Sequence, residues 1–157
     1  SGDGIFNGET YLAAQGRFGI GSDSNIQIDA PAELRQLEYS QRLKARARNV
    51  MTETEGESTG RSLYARALAG GAQALGQPIG ALAPGHRADI VVLDADHPDL
   101  AGASGDMVLD VLVFSAGRGL IRTVFVGGKP VVRDGRHVAR EAIAQKYRST
   151  VSRLANS

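Results

Sequence analysis

Hydrophobic positions recur at helical spacing through the first half of the chain and gather into short β-branched runs in the second. Glu9 to Gln15 read as a short helix that Gly16 ends. Arg17-Phe18-Gly19-Ile20-Gly21 reads as a short strand; its two glycines mark a bulge or a close backbone approach. Asp29 can cap a long helix, Pro31 fits its first turn, and Glu33 suits its positive end. Leu34, Leu37 and Leu43 are its apolar anchors, and Arg42, Lys44, Arg46 and Arg48 crowd its last turns. Thr52 to Thr59 is polar and acidic, a surface loop. A second helix is predicted from Gly60 to Leu75, with Tyr64, Leu68, Gly71 and Leu75 at helical spacing and Gly76-Gln77-Pro78 as its stop. The interior pair Gly70-Gly71 costs about 1 kcal/mol per residue relative to Ala, which predicts close packing on a neighbouring element.

From Ala88 to Asp94 the run of β-branched residues predicts a strand buried on both faces. Residues 107–114 are apolar without a deciding period. Thr123 to Val126, Gly127-Gly128, and Lys129 to Val132 predict a hairpin with a two-residue turn. Pro130 puts its strand at an edge or at a non-bonding position. Asp134-Gly135 is a second turn, and Ala139 to Leu154 is an amphipathic helix with Ile143, Tyr147, Val151 and Leu154 on one face. The strand near Phe18 has no evident parallel partner in the chain, although buried backbone groups require one.

Composition narrows the class. A chain of 157 residues and 16.5 kDa that folds compactly exposes roughly 7,500 Å² and buries about 68% of its unfolded surface, enough for one domain with a core. Hydrophobic residues at 42% and charged residues at 22% exclude wholesale disorder. A net charge of +1 gives no nucleic-acid footprint. The absence of cysteine excludes disulfide scaffolds and thiolate chemistry. No apolar run approaches the roughly 20 residues of a membrane-spanning helix. Ser1-Gly2-Asp3-Gly4 lacks the basic and apolar regions of a signal peptide. It reads as a processed end, an engineered scar or the start of a fragment.

Asp23 is the sharpest chemical candidate. It follows the glycine-containing strand and is flanked by Ser22 and Ser24. A carboxylate at the C-terminal rim of a barrel strand can bind a divalent metal or move a proton; the same residue can also simply end the strand in an Asx turn. His86, His97 and His137 each sit beside a turn signal, and none has metal-ligand spacing. Gly19-Ile20-Gly21 lacks the third glycine of a dinucleotide loop. The basic stretch Arg42 to Arg48 has no aromatic interleaving and reads as a solvated face, pairing with Glu53, Glu55 and Glu57. Ser22 and Ser24 have no nucleophile-elbow frame.

Two segments carry a family resemblance. Gly80 to Asp94, with Pro84-Gly85-His86-Arg87-Ala88-Asp89-Ile90-Val91-Val92-Leu93-Asp94, and Val124 to Gly135 resemble the C-terminal signature of the amidohydrolase superfamily. Gly2-Asp3-Gly4-Ile5-Phe6, Gly16 to Asn25, Glu33 to Leu43 and Gly70 to Gly80 more narrowly resemble the N-formimino-L-glutamate deiminases of that superfamily.

The resemblance implies an α/β fold. Residues 1–76 would be the C-terminal part of a (β/α)8 TIM-type barrel, with its last strand and the helices after it. Residues 77–137 would be C-terminal strands of a small composite β-sandwich, and 138–157 a C-terminal helix. It implies a single divalent metal, usually zinc, that activates water to deiminate N-formimino-L-glutamate to N-formyl-L-glutamate and ammonia, a step of histidine degradation. Asp23 matches the family's aspartate at the end of barrel strand 8, a metal ligand and proton shuttle; Ser22 and Ser24 would support it or shape the turn. Cytoplasmic homodimers, with no nucleic-acid or membrane partner, are implied as well. The family's His-x-His and its later barrel histidine are absent. The chain therefore resembles the C-terminal third of such an enzyme, needs the N-terminal part as its partner, and would be inactive alone. Two other readings stay open: a related hydrolase acting on a nucleobase or chlorotriazine-like substrate, and a β-rich module without chemistry.

Overall fold

Short-range signals in the sequence become nine main elements in a computed structural model that describes residues 3–156. Ser1, Ser157 and the Gly2 that opens the first motif lie outside the described residues. The helices are α1 (Gly8–Ala13), α2 (Ala30–Ala45), α3 (Thr59–Leu75), α4 (Met107–Val111) and α5 (Arg140–Ala155). The strands are β1 (Ile90–Leu93), β2 (Ile121–Val126), β3 (Lys129–Arg133) and β4 (Arg136–His137). Among the described residues no helix is long and apolar enough to cross a membrane.

α2 starts where its cap dictates: the Asp29 side chain accepts from the Ala32 amide at 3.2 Å, and Pro31 occupies the first turn. Its buried face is not the leucine face expected. Leu34 is buried and Leu37 partly so, but Leu43 is 79% exposed. Glu38 and Gln41, four and seven residues beyond Leu34, fall on the inner face instead. They are there because neighbouring loops have amides and carbonyls to satisfy. Glu38 accepts from the Val50 and Met51 amides at 3.1 and 3.0 Å and from Arg42 Nε at 2.7 Å. Gln41 donates to the Phe6 carbonyl at 2.7 Å and accepts from the Gly8 amide at 3.1 Å. A buried charge with several donors is stable where an unpaired one is not. Arg42 therefore pairs with Glu38, not with the acidic loop, and Glu53 pairs with Arg66. The Arg42 guanidinium also lies over the rings of Tyr39 and Phe114, 5.2 Å from each centroid, and ties α2 to the π turn Leu112–Ala116.

α3 is capped by Ser58, which accepts from the Arg61 amide at 3.0 Å, and ends at Gly76 in the left-handed conformation. Its inner face runs through Gly60, Leu63, Ala67 and Gly70, one position from the series Tyr64, Leu68, Gly71 and Leu75. Small residues win that face because two backbones come close. A Cβ on Gly60 would sit 2.4 Å from the Leu109 carbonyl oxygen, where α4 crosses; one on Gly70 would sit 2.0 Å from that of Phe18. The close packing expected of the glycine pair is found at Gly70, against the segment 17–21, whereas a Cβ on Gly71 would meet nothing within 4 Å. The core is small: Leu12, Leu34, Met51, Leu63 and Val113.

The four strands form one antiparallel sheet in the order β1-β2-β3-β4. Both two-residue turns are as expected, with positive φ at Gly127, Gly128, Asp134 and Gly135, the mirror-image geometry that matches strand twist. β4 pairs only Val132 and Arg133 of β3, so Pro130 has no partner on that side. β1, expected to be buried on both faces, leaves Val91 and Val92 exposed at 43% and 40%. Between this sheet and α3 lies an apolar cleft of about 580 Å³ lined by Tyr64, Leu68, Leu82, Ile90, Leu93 and Phe125. Burial there pushes the Tyr64 phenol above its usual ionisation range. Ile143, Tyr147 and Val151 of α5 face solvent. The whole chain exposes 10873 Å², well above the compact expectation of roughly 7,500 Å².

Arg17–Gly21 does not form the strand expected: among the described residues it joins no ladder. A strand is defined by its neighbours' backbone hydrogen bonds, and α3 offers the segment only a side-chain one, Arg17 Nη1 donating to Gln73 Oε1 at 3.1 Å.

Candidate active-site turn after residues 17–21

The turn that carries Asp23 is set by glycines on both sides of a contact. Gly70 lets Phe18 rest on α3, and a Cβ on Gly19 would stand 3.4 Å from the Gly71 backbone. The segment therefore lies flat on the helix and delivers Ser22-Asp23-Ser24-Asn25 at its end. There the chain reverses: the Asn25 amide donates to the Ser22 carbonyl at 2.7 Å. Asp23 adopts φ 41°, the left-handed region that Asp and Asn tolerate better than other non-glycine residues.

The Asp23 side chain is exposed at the rim of a cleft of about 550 Å³, together with Gly4, Ile5, Phe18, Ile20 and Gly21. Among the described residues no cation pairs with the carboxylate and no donor hydrogen-bonds it. Its oxygens are hard donors of the kind that divalent cations take. Ser22 is half-buried and Ser24 exposed, one on either side of it. Asp23 fits a metal site as one ligand, not as a whole site: among the described residues no three of His, Cys, Asp and Glu are grouped to hold a metal ion.

The histidines stand near the turn signals that the sequence shows, with His137 itself in β4 just after the Asp134-Gly135 turn. His97 Nδ1 accepts from the Asp99 amide at 3.2 Å, and His137 Nδ1 accepts from the Ala139 amide at 3.1 Å. His86 lies in an exposed turn. Nothing brings them to Asp23. What sequence reasoning missed near Asp23 is a side-chain tie: Asn25 Nδ2 donates to Glu33 Oε1 of α2 at 2.9 Å. The eight-residue gap between them gave no periodic signal.

The sequence profile of the amidohydrolase family matches residues 1–131. A formimidoylglutamate deiminase of Pseudomonas aeruginosa is 50% identical over 153 residues, 98% of this chain and 34% of that protein. The crystal structure of an amidohydrolase from Brucella melitensis superposes with a TM-score of 0.87 at 44% identity, covering 98% of this chain and 34% of that one. An atrazine chlorohydrolase from Arthrobacter aurescens, solved with zinc, superposes with a TM-score of 0.75 at 27% identity, over 94% of this chain and 32% of that one. The chain thus spans about a third of the length of the relatives it matches.

Proposed function

As the chain belongs to the amidohydrolase family, we propose that it supplies the closing part of a metal-dependent deiminase acting on N-formimino-L-glutamate, with water as co-substrate and N-formyl-L-glutamate and ammonia as products. The observation that carries the reading is the 50% identity to a formimidoylglutamate deiminase over 98% of the chain. The other deaminases and triazine hydrolases of the family share the architecture at lower identity.

In this reading residues 1–76 complete a (β/α)8 barrel, Arg17–Gly21 being its last strand once neighbours flank it. Residues 77–137 are the C-terminal part of a composite sandwich, and 138–157 a closing helix. The unpaired segment at 17–21, the open cleft beside β1 and the large exposed surface support it. The missing N-terminal part of the same enzyme is the partner that would cover them. A cytoplasmic homodimer working in histidine degradation is the setting we assign.

Asp23 would hold the divalent metal, zinc by analogy with the family, alongside ligands from that missing part. The metal when bound supplies Lewis-acid activation of the attacking water. Asp23 also moves the protons. In two successive transfers a carboxylate oxygen takes a proton, first from the attacking water and then from the hydroxyl it adds to carbon, and passes each to the formimino nitrogen, whose bond to carbon then breaks to release ammonia as that carbon becomes C=O. At this positive φ the Asp23 carboxylate lies at the cleft rim beside Gly21, its Oδ1 3.4 Å from where a Cβ on that glycine would stand. Ser22 and Ser24 shape that turn.

The test is direct. The complete enzyme should release ammonia from N-formimino-L-glutamate in clear preference to cytosine or guanine. The purified 157-residue chain should release none, because one carboxylate cannot replace the three protein ligands that a catalytic zinc needs. Turnover by the isolated chain, or a preference for a nucleobase, would overturn the proposal.

A further inference from the structure

The Asp23 turn is held from two directions by one residue. Asn25 closes the turn through its backbone, donating to the Ser22 carbonyl at 2.7 Å, and reaches out through its side chain to Glu33 at 2.9 Å. Glu33 lies in the first turn of α2, whose start is itself fixed by the Asp29 cap on the Ala32 amide. Between Asn25 and that cap the chain has no regular structure, Ile26 is 102% exposed and Ile28 67% exposed, and Arg118 holds the far end of the stretch, at the Ile28 carbonyl (3.3 Å) and Asp29, not the turn. The tie from Asn25 to Glu33 therefore bridges an irregular, solvent-facing span and couples the turn to a helix. Sites anchored on helices hold their geometry better than sites on loops.

From this we infer that Asn25 and Glu33 are positioning residues, which keep Asp23 in its left-handed conformation and so fix the direction of its carboxylate. The inference rests on the assignment of Asp23 as a metal ligand. Neither is assigned a part in the chemistry, although Glu33 lines the same cleft as Asp23. Without the tie, Asp23 can relax toward ordinary negative φ, which swings the carboxylate away from the direction the other ligands require. Partners that orient a metal ligand typically affect metal affinity or activity by about 10- to 100-fold. The tie is exposed, so its loss should leave global stability nearly untouched.

The experiment uses the complete enzyme. Zinc and cobalt affinities are measured by chelator competition, kcat and KM with N-formimino-L-glutamate, and melting in the metal-free form. Asn25→Ala and Glu33→Ala should each weaken metal binding and lower kcat by about 10- to 100-fold, with KM within about twofold. The metal-free melting midpoint should not move. Glu33→Gln keeps an acceptor for the Asn25 amide and should stay within about threefold of the parent on both readouts. The double alanine variant should be no worse than the worse single one, because both break the same tie. Glu141→Gln, which breaks the remote Arg136–Glu141 pair, should change nothing. If Asn25→Ala lowers the melting midpoint, the Glu33→Ala and Glu33→Gln pair decides. Equal losses in those two variants, parental metal affinity in both alanine variants, or single losses that multiply in the double variant would each overturn the inference. Asp23→Asn separates the two levels. If it keeps metal affinity, the ligand assignment fails and this inference with it; if it alone loses affinity, only the positioning pair fails.

Discussion

Asp23→Asn in the complete enzyme is expected to lower kcat for N-formimino-L-glutamate by about 1,000-fold or more while leaving the fold intact. Asn preserves the shape of the side chain and tolerates the positive φ of 41° nearly as well as Asp, so the turn should survive. On the proposed role of Asp23, what it would lose is the negative charge that helps hold a divalent cation and the base that takes the protons from water. General acid–base catalysis alone contributes roughly 10²- to 10⁴-fold, and loss of a metal ligand adds to that. The measurement is ammonia release under saturating substrate, paired with metal content and a melting curve. A variant with parental melting and more than about a tenth of parental kcat would remove Asp23 from the chemistry.

The second large effect is on the fold. Gly70→Ala places a Cβ 2.0 Å from the Phe18 carbonyl oxygen and 2.4 Å from its carbon, both backbone atoms with no rotamer through which to escape. Either α3 or the segment 17–21 must move. Overpacking of this kind costs about 1–3 kcal/mol, and the better helix propensity of Ala returns only about 1 kcal/mol. Movement of the segment also displaces the turn that carries Asp23. Gly70→Ala should therefore lose stability and activity together. Gly71→Ala is the internal control: its Cβ meets nothing within 4 Å, so the propensity gain should stand alone and the variant should melt at or above the parental midpoint. Equal behaviour of the two variants by scanning calorimetry would refute the contact between α3 and Phe18.

Features that the sequence made legible are those set within a few residues. Asp29 caps α2 because a short oxygen-bearing side chain can reach an amide three residues on. Gly127-Gly128 and Asp134-Gly135 make hairpins because few residues accept consecutive positive φ. Features set by distant partners were hidden. Glu38 and Gln41 look like surface residues of α2, and only the loops folded over them turn that face inward. β1 reads as doubly buried, and Arg17–Gly21 reads as a strand, because both patterns suit an environment richer in neighbours than the one present here. The place of Asp23 in a turn just after the segment was legible in the sequence. The acceptor that steadies its turn was not, since Glu33 belongs to the next helix and its pairing with Asn25 depends on how an irregular span is routed.

The two tight reversals between β2 and β4 bear on how the protein acquires its shape. Val126 and Lys129 meet across Gly127-Gly128, and Arg133 and Arg136 meet across Asp134-Gly135. Such local closures take on the order of microseconds. Partnering Ile90 with Phe125, by contrast, requires the whole excursion through α4 to be gathered in first, at a greater loss of chain entropy. The meander should thus act as a nucleus onto which β1 later zips. In pulse-labelling hydrogen exchange during refolding of the complete enzyme, amides of β2 and β3 should gain protection ahead of those of β1; simultaneous protection would exclude that order.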